Sequence, residues 1–305
     1  MGILQKILLT TLPLVFSLTA LAQQTNQGFE LGMASYHRSD WDGAITNFTK
    51  AIESSYKPYE SYGNRAYAKA MKGNSDGAMS DCNQQIMLAP KFSGAYFWRS
   101  RVELELTNVD TALHDFEIGI KIDPKARPAD LAGKLSSRCQ NRAFKKYRSG
   151  DLDGAITNLN EAIYITPTNS NPYAFRGWLK LMQNHVDGAI SDAFFAIKYN
   201  PKNLFAYDVQ AWARYEREDV SGAVEDCMKV TEIWVQFRAQ NPNLPLESED
   251  YTTSGLLCFI NGDFGKAIEN WNRFQNSNTN LPPSMRQFLQ TWIEKAQAKL
   301  LEKKL

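Results

Sequence analysis

The sequence lacks the minimal constellation of each common enzyme class: it has no paired-cysteine motif, no glycine-rich phosphate loop following a strand and no nucleophile elbow. Its three histidines, His37, His114 and His185, stand far apart with no His or Glu at metal-ligand spacing. No catalytic group, metal or cofactor is expected. The four cysteines, Cys82, Cys139, Cys227 and Cys258, are widely spaced, which speaks for buried thiols and against a disulfide framework. One bridge, between Cys227 and Cys258, stays open as an alternative.

Charge of one sign is also missing. With 34 basic and 33 acidic side chains and no basic block longer than Lys145-Lys146 with nearby Arg148, the chain has no surface suited to nucleic-acid phosphates. Long apolar runs are missing too, apart from the uncharged stretch Ile7 to Leu21 that follows Lys6 and ends in Ala20-Leu21-Ala22. That stretch is short for a membrane span, which needs about 20 residues, and it reads as a signal peptide over residues 1–22. Export to the periplasm or the exterior is the expectation, with no stable membrane span after cleavage. Removal of residues 1–22 takes away Lys6 and no acid.

What the chain has in abundance is repetition. A tract Asp-Gly-Ala-Ile occurs at 42–45, 153–156 and 187–190, and its alanine recurs as Ala44, Ala78, Ala112, Ala155, Ala189, Ala223 and Ala267. The spacings are 34, 34, 43, 34, 34 and 44 residues. Twelve residues before each of these alanines lies a small residue: Gly32, Ala66, Ser100, Ala143, Gly177, Ala211 or Gly255. Two helices must approach closely there. Five residues before the alanine a glycine is frequent (Gly73, Gly150, Gly262), and an Asp or Asn commonly follows it, which is a helix stop and then an N-cap. Apolar residues then follow at helical spacing up to Pro90, Pro124, Pro167 or Pro201. Each unit is a helical hairpin.

The first longer spacing falls around residues 126–134 and either lengthens the fourth unit's first helix or forms a loop. The second follows an extended second helix ending near Gln240, and the tract Asn241 to Pro245 is the best candidate loop. After a polar break at 276–283, Met285, Phe288, Leu289, Trp292, Ile293, Ala296 and Leu300 form an amphipathic helix expected to cap the stack.

A 34-residue helix–turn–helix unit with small and terminal-Pro positions resembles the tetratricopeptide repeat family. The resemblance implies an all-α, right-handed solenoid of about seven hairpins over residues 23–278, with a capping helix at 279–305. It also implies a concave surface, lined by the first helices, that receives a protein or peptide partner. Positions fifteen, eleven and eight residues before each alanine should face that groove. They hold Phe29, Tyr36, Tyr67, Phe97, Phe144, Tyr147, Trp178, Trp212, Tyr215 and Phe259. Aromatic rings there suit an extended apolar or proline-containing peptide, and Trp178, Trp212 and Tyr215 carry most weight. The same rings also fit the space between neighbouring hairpins. Family members that clamp a chaperone tail use Lys, Asn and Arg, whereas the matching positions here hold Phe29, Met33, Asn64, Gly94 and Trp98, so only the Asn is retained. A row of Arg65, Arg99, Arg142 and Arg176 is expected to pair with acids of the adjacent hairpin, such as Asp81 or Asp115. The function expected is a binding scaffold, with an accessory subunit of an envelope enzyme or a self-associating structural protein as alternatives.

Overall fold

Each hairpin is set by a backbone reversal that the sequence marks only in part. In the computed structural model, which describes residues 27–241 and 250–303, the residue five before each repeat alanine is left-handed in every unit. It is glycine at Gly73, Gly150 and Gly262, but Ser39, Thr107, Asn184 and Glu218 in the other four. The next residue caps the second helix: the N–H groups of Gly43, Gly77, Gly154 and Gly222 donate to the side chains of Asp40, Asn74, Asp151 and Asp219 at 2.9–3.0 Å. A Cβ on any of these four glycines would press on the capping side chain where it stands, although the seventh unit keeps the same bond with Lys266, whose N–H donates to Asp263 at 3.2 Å.

The first helices are α1 (27–37), α3 (Pro58–Met71), α5 (Ser93–Glu105), α7 (Ala129–Arg148), α9 (Ser170–Met182), α11 (Leu204–Glu216) and α13 (Asp250–Ile260). Their partners are α2 (Trp41–Glu53), α4 (Ser75–Leu88), α6 (Val109–Ile122), α8 (Leu152–Ile165), α10 (Val186–Tyr199), α12 (Val220–Gln240) and α14 (Phe264–Ser277), and α15 (Pro283–Glu302) ends the series. No strand occurs among the described residues. The first long spacing is taken up by α7, at 20 residues against 13 or 14 for α3, α5, α9 and α11. The second follows the 21-residue α12, and most of the Asn241–Pro245 tract lies outside the described residues, as does the 1–22 segment read as a signal peptide. No described helix is long and apolar enough to cross a membrane.

Contacts divide the chain into two compact units, 1–135 and 136–305, with the boundary inside α7. The seven alanines, three in the first unit and four in the second, are fully buried, and the small residues twelve positions earlier admit a close neighbour. A Cβ on Gly32 would stand 2.6 Å from the Phe48 ring, and one on Gly255 would enter the Trp271 indole. Ser100 uses the proximity differently, its hydroxyl donating to the Ala112 carbonyl at 2.6 Å. Cys82, Cys139 and Cys227 are buried free thiols and Cys258 is a half-buried one; burial pushes the Cys82 and Cys227 thiols far above their ordinary value.

The arginine row forms buried clamps. Arg65 reaches Asp81 at 2.7 Å and Thr49 at 2.9 Å; Arg99 reaches Asp115 at 2.6 Å and Asn83 at 2.9 Å; Arg176 reaches Asp192 and Asn160, each at 2.6 Å. The acid lies on the second helix of the arginine's own hairpin, not on the adjacent one as expected. The neighbouring hairpin supplies the uncharged oxygen. A planar guanidinium with a rigid fork of donors can serve both at once. In the fourth unit Asn158 replaces the acid and its amide donates to its own helix at Gly154. In the sixth the arginine is replaced by Gln210, so buried Asp226 pairs with Arg214 at 2.9 Å as its one cation among the described residues, and burial raises its pKa to about 7.

Two outcomes follow from this geometry. Thr107 is β-branched and left-handed (φ 67°), so Thr107→Gly should raise stability by about 1 kcal/mol, read from urea melts. Asp226 keeps its proton in the folded chain up to about pH 7 but loses it near pH 4 when unfolded. Its contribution is therefore complete below pH 4 and fades as pH rises towards 7, with a slope of up to about 1.4 kcal/mol per pH unit. Asp226→Asn should remove that slope, and melts from pH 4 to 8 that run parallel for wild type and variant would contradict the assignment.

Candidate functional site

A groove of about 1130 Å³ opens in the second unit, and its walls come from the first helices together with the segment leading into α15. On α7 it is lined by Gln140, Phe144, Tyr147 and Arg148, on α9 by Asn171, Ala174, Phe175 and Trp178, and on α11 by Leu204, Phe205 and Asp208. Val230 and Trp234 of α12, Thr252 and Thr253 of α13, and Phe274 of α14 add to the lining, as do Leu281, Pro282 and Met285 around the start of α15. Most of this surface is apolar and aromatic, and its polar members are chiefly amides and hydroxyls.

Three of the ring positions expected to face a ligand line this groove. Phe144 is 51% exposed, while Tyr147 and Trp178 present only their edges. Burial pushes the Tyr147 hydroxyl up to about 12, against a hydrogen bond with Trp178 that lowers it. The edge-on contact of Phe175 with Tyr147, centroids 5.5 Å apart, continues the aromatic wall.

Trp212, Tyr215 and Phe259 are elsewhere, because α15 lies over them. Phe288 packs on Trp178 and Trp212 with centroids 5.3 and 5.1 Å away, and Trp292 packs on Trp212, Tyr215 and Phe259 at 4.9, 5.5 and 5.3 Å. Trp212 is fully buried, and its indole N–H meets no hydrogen-bond acceptor among the described residues. The last helix thus covers the inner wall of the late hairpins instead of only closing the end of the stack. Trp212, given most weight from the sequence together with Trp178 and Tyr215, presents no surface to a ligand in this arrangement.

In the first unit the expected positions form a row of touching rings. Tyr36 lies 5.5 Å from Tyr67, and Tyr67 lies 6.5 Å from Trp98, where Arg101 stacks at 5.5 Å while bonded to Asp130 at 2.6 Å. The Tyr36 hydroxyl is pushed up to about 12, chiefly by burial. Phe29 and Phe97 are core residues, packed on Phe48 and Phe116. Asn64, the one residue shared with the tail clamp, is buried with its amide donating to Glu60 of its own helix at 2.8 Å.

Sequence reasoning missed Phe175, Phe205, Asn171 and Trp234. Asn171 and Phe205 occupy the position eighteen before the repeat alanine, one turn beyond the three positions used, so extending the same helical face would have found them. Trp234 sits on the unusually long α12, eleven residues after the repeat alanine, where no other repeat carries an aromatic residue, although Asn200 and Asn278 at the same register also line the groove. Among the described residues no group of three or more His, Cys, Asp or Glu side chains is placed to hold a metal ion.

No family model matches the chain. Among curated proteins it is similar to the STIP1 homologue of Dictyostelium discoideum, 24% identical over 151 residues, and to human DnaJ homologue subfamily C member 7, 31% identical over 141 residues. These matches cover 50% and 45% of the chain but only 26% and 28% of the two proteins, so the chain spans about a quarter of the length of each. Among solved structures, the C-terminal part of a tetratricopeptide repeat-containing protein from Cytophaga hutchinsonii covers 85% of the chain, itself matched over 98% of its length, with a TM-score of 0.51 at 16% identity. The seven hairpins, their shared cap and close-contact positions, and this superposition together establish that the chain has the all-helical tetratricopeptide repeat fold.

Proposed function

We propose that the protein is a non-catalytic scaffold that holds an extended peptide or protein segment in the groove between α7, α9, α11 and the α14–α15 connection, and that it acts outside the cytoplasm. The observation that carries the first part is the groove itself: an aromatic surface with amide side chains in its lining. A buried extended segment must satisfy its own N–H and C=O groups, and amides offer both a donor and an acceptor. Aromatic rings meanwhile provide large contact area with few rotatable bonds. The relatives' names include a phosphatase, rat serine/threonine-protein phosphatase 5, but the match takes in 23% of that enzyme, and the fold found here is generally a non-catalytic one. Action outside the cytoplasm is supported by the apolar run Ile7–Leu21 and its Ala20-Leu21-Ala22 end. Residues 1–22 are read as the cleaved leader, 23–278 as the repeat array and 279–305 as the helix that covers its inner wall.

Panning a random peptide library on the full chain should yield ligands whose affinity falls about tenfold or more in Phe144→Ala and Phe175→Ala, with melting temperature little changed. Trp212→Ala should act in the opposite sense, costing about 3–5 kcal/mol of stability. Ligands that bind both groove variants as tightly as wild type would rule the groove out. For localisation, mass spectrometry of the chain recovered from its native host should find a mature N-terminus at Gln23, and an intact Met1 on exported material would contradict cleavage.

A further inference from the structure

The groove's amides leave both donors and acceptors open: Gln140 Nε2 donates to the Ser136 carbonyl at 3.3 Å and Asn278 Nδ2 to the Phe274 carbonyl at 2.9 Å, so the oxygens of these two remain. At Asn203 and Asn200 the orientation is instead set by backbone N–H groups, which can only donate. Ala206 N–H donates to Asn203 Oδ1 at 3.2 Å, so Asn203 Nδ2 turns to Ser170 Oγ and Asn171 Oδ1, at 3.1 and 3.3 Å. That occupies the oxygen of Asn171 and leaves its Nδ2 for the groove. Lys202 N–H donates to Asn200 Oδ1 at 3.1 Å, which leaves the Asn200 Nδ2 in the same position.

The accessible charges, by contrast, are of one sign. Arg148 and Lys202 line the groove, are exposed, and have no ion-pair partner among the described residues; Arg148 rests over the Phe144 ring at 6.0 Å. The groove's one carboxylate, Asp208, is 9% exposed and accepts from the buried Thr253 hydroxyl at 2.6 Å. It is therefore recessed and held by a donor, while the two cations stand at the surface. Accessible positive charge selects a ligand that carries negative charge, and amides of both orientations serve the N–H and C=O groups of an extended backbone. The apolar floor selects against a ligand that is charged throughout, because each large side chain laid on Phe175 or Phe205 removes apolar area from water.

We propose that the open part of this groove takes an extended peptide segment in which carboxylate side chains alternate with large apolar ones. The proposal rests on the peptide-groove reading above and adds the charge of the partner to it. Alternation is the pattern of an extended chain, which turns successive side chains to opposite sides, so apolar residues meet the aromatic floor while acids meet the Arg148 and Lys202 rim. This is unlike capture of a chain-terminal carboxylate, since no cluster of Lys, Asn and Arg is present on consecutive first helices. An acidic oligosaccharide would satisfy the cations equally well but would leave the exposed Phe144 and Phe205 rings without apolar partners.

The test uses the full chain and three short synthetic peptides with the same alternating Phe and Leu residues, separated by Asp, by Asn or by Lys. Calorimetric titration should show the Asp peptide binding at least about tenfold more tightly than the Lys peptide at low salt. The gap should narrow at physiological ionic strength. In the double variant Arg148→Glu with Lys202→Glu the order should reverse, with an unchanged melting temperature because both side chains are exposed. Asn or Lys peptides that bind wild type as well as the Asp peptide would overturn the charge assignment while leaving the groove reading intact. So would an Asp preference that survives in the double variant. Binding of none of the three, with an oligogalacturonate fragment bound in their place, would overturn both.

Discussion

Everything in this molecule depends on how closely the two helices of each hairpin approach. The repeat alanine and the small residue twelve positions before it bring the two helices close enough that side chains elsewhere on the pair are committed to particular neighbours. Phe48 can lie against Gly32 and Trp271 against Gly255 because neither glycine carries a Cβ. The buried clamps have the same origin. At the distances the close approach sets, Arg65, Arg99 and Arg176 span from their own hairpin to the preceding one, and a longer separation would leave a charge buried without its partner, a cost of about 3–5 kcal/mol. Packing and electrostatics therefore share a single geometric condition.

The fold was legible from the sequence because that condition is written in residue size at fixed spacing, which survives wide substitution elsewhere. The cap residues added an independent sign of the hairpin turn. Thr107 and Glu218 were harder to read as left-handed positions, since nothing in a single Thr or Glu advertises that backbone conformation; only the register of the other units places them there. The acid partner of Arg65, Arg99 and Arg176 was misplaced by one hairpin for a related reason. Periodicity gives the type of a partner but not which of two equally spaced helices carries it.

The candidate groove was legible in part, and the part that failed did so through long-range packing. Positions fifteen, eleven and eight before the alanine do mark one helical face, as Gln140, Phe144 and Tyr147 show along α7. Whether that face meets solvent is decided by α15, which is distant in sequence and whose apolar stripe reads equally well as an end cap. Phe288 and Trp292 turn the same register positions in the late hairpins into core. A repeat thus tells where a surface points and leaves unsaid what lies on it.

The buried thiols give the chain an internal clock for its own opening. Cys82 belongs to the first compact unit and Cys227 to the second; both are fully enclosed and both are held in the unreactive protonated form by burial. A thiol reagent or oxidant reaches either one only when the surrounding hairpin separates, so the rate of modification at each sulfur measures the opening of its own unit. Each cysteine thus dates the breathing of the helices around it, and the two units can be timed against each other in one sample without any label being introduced.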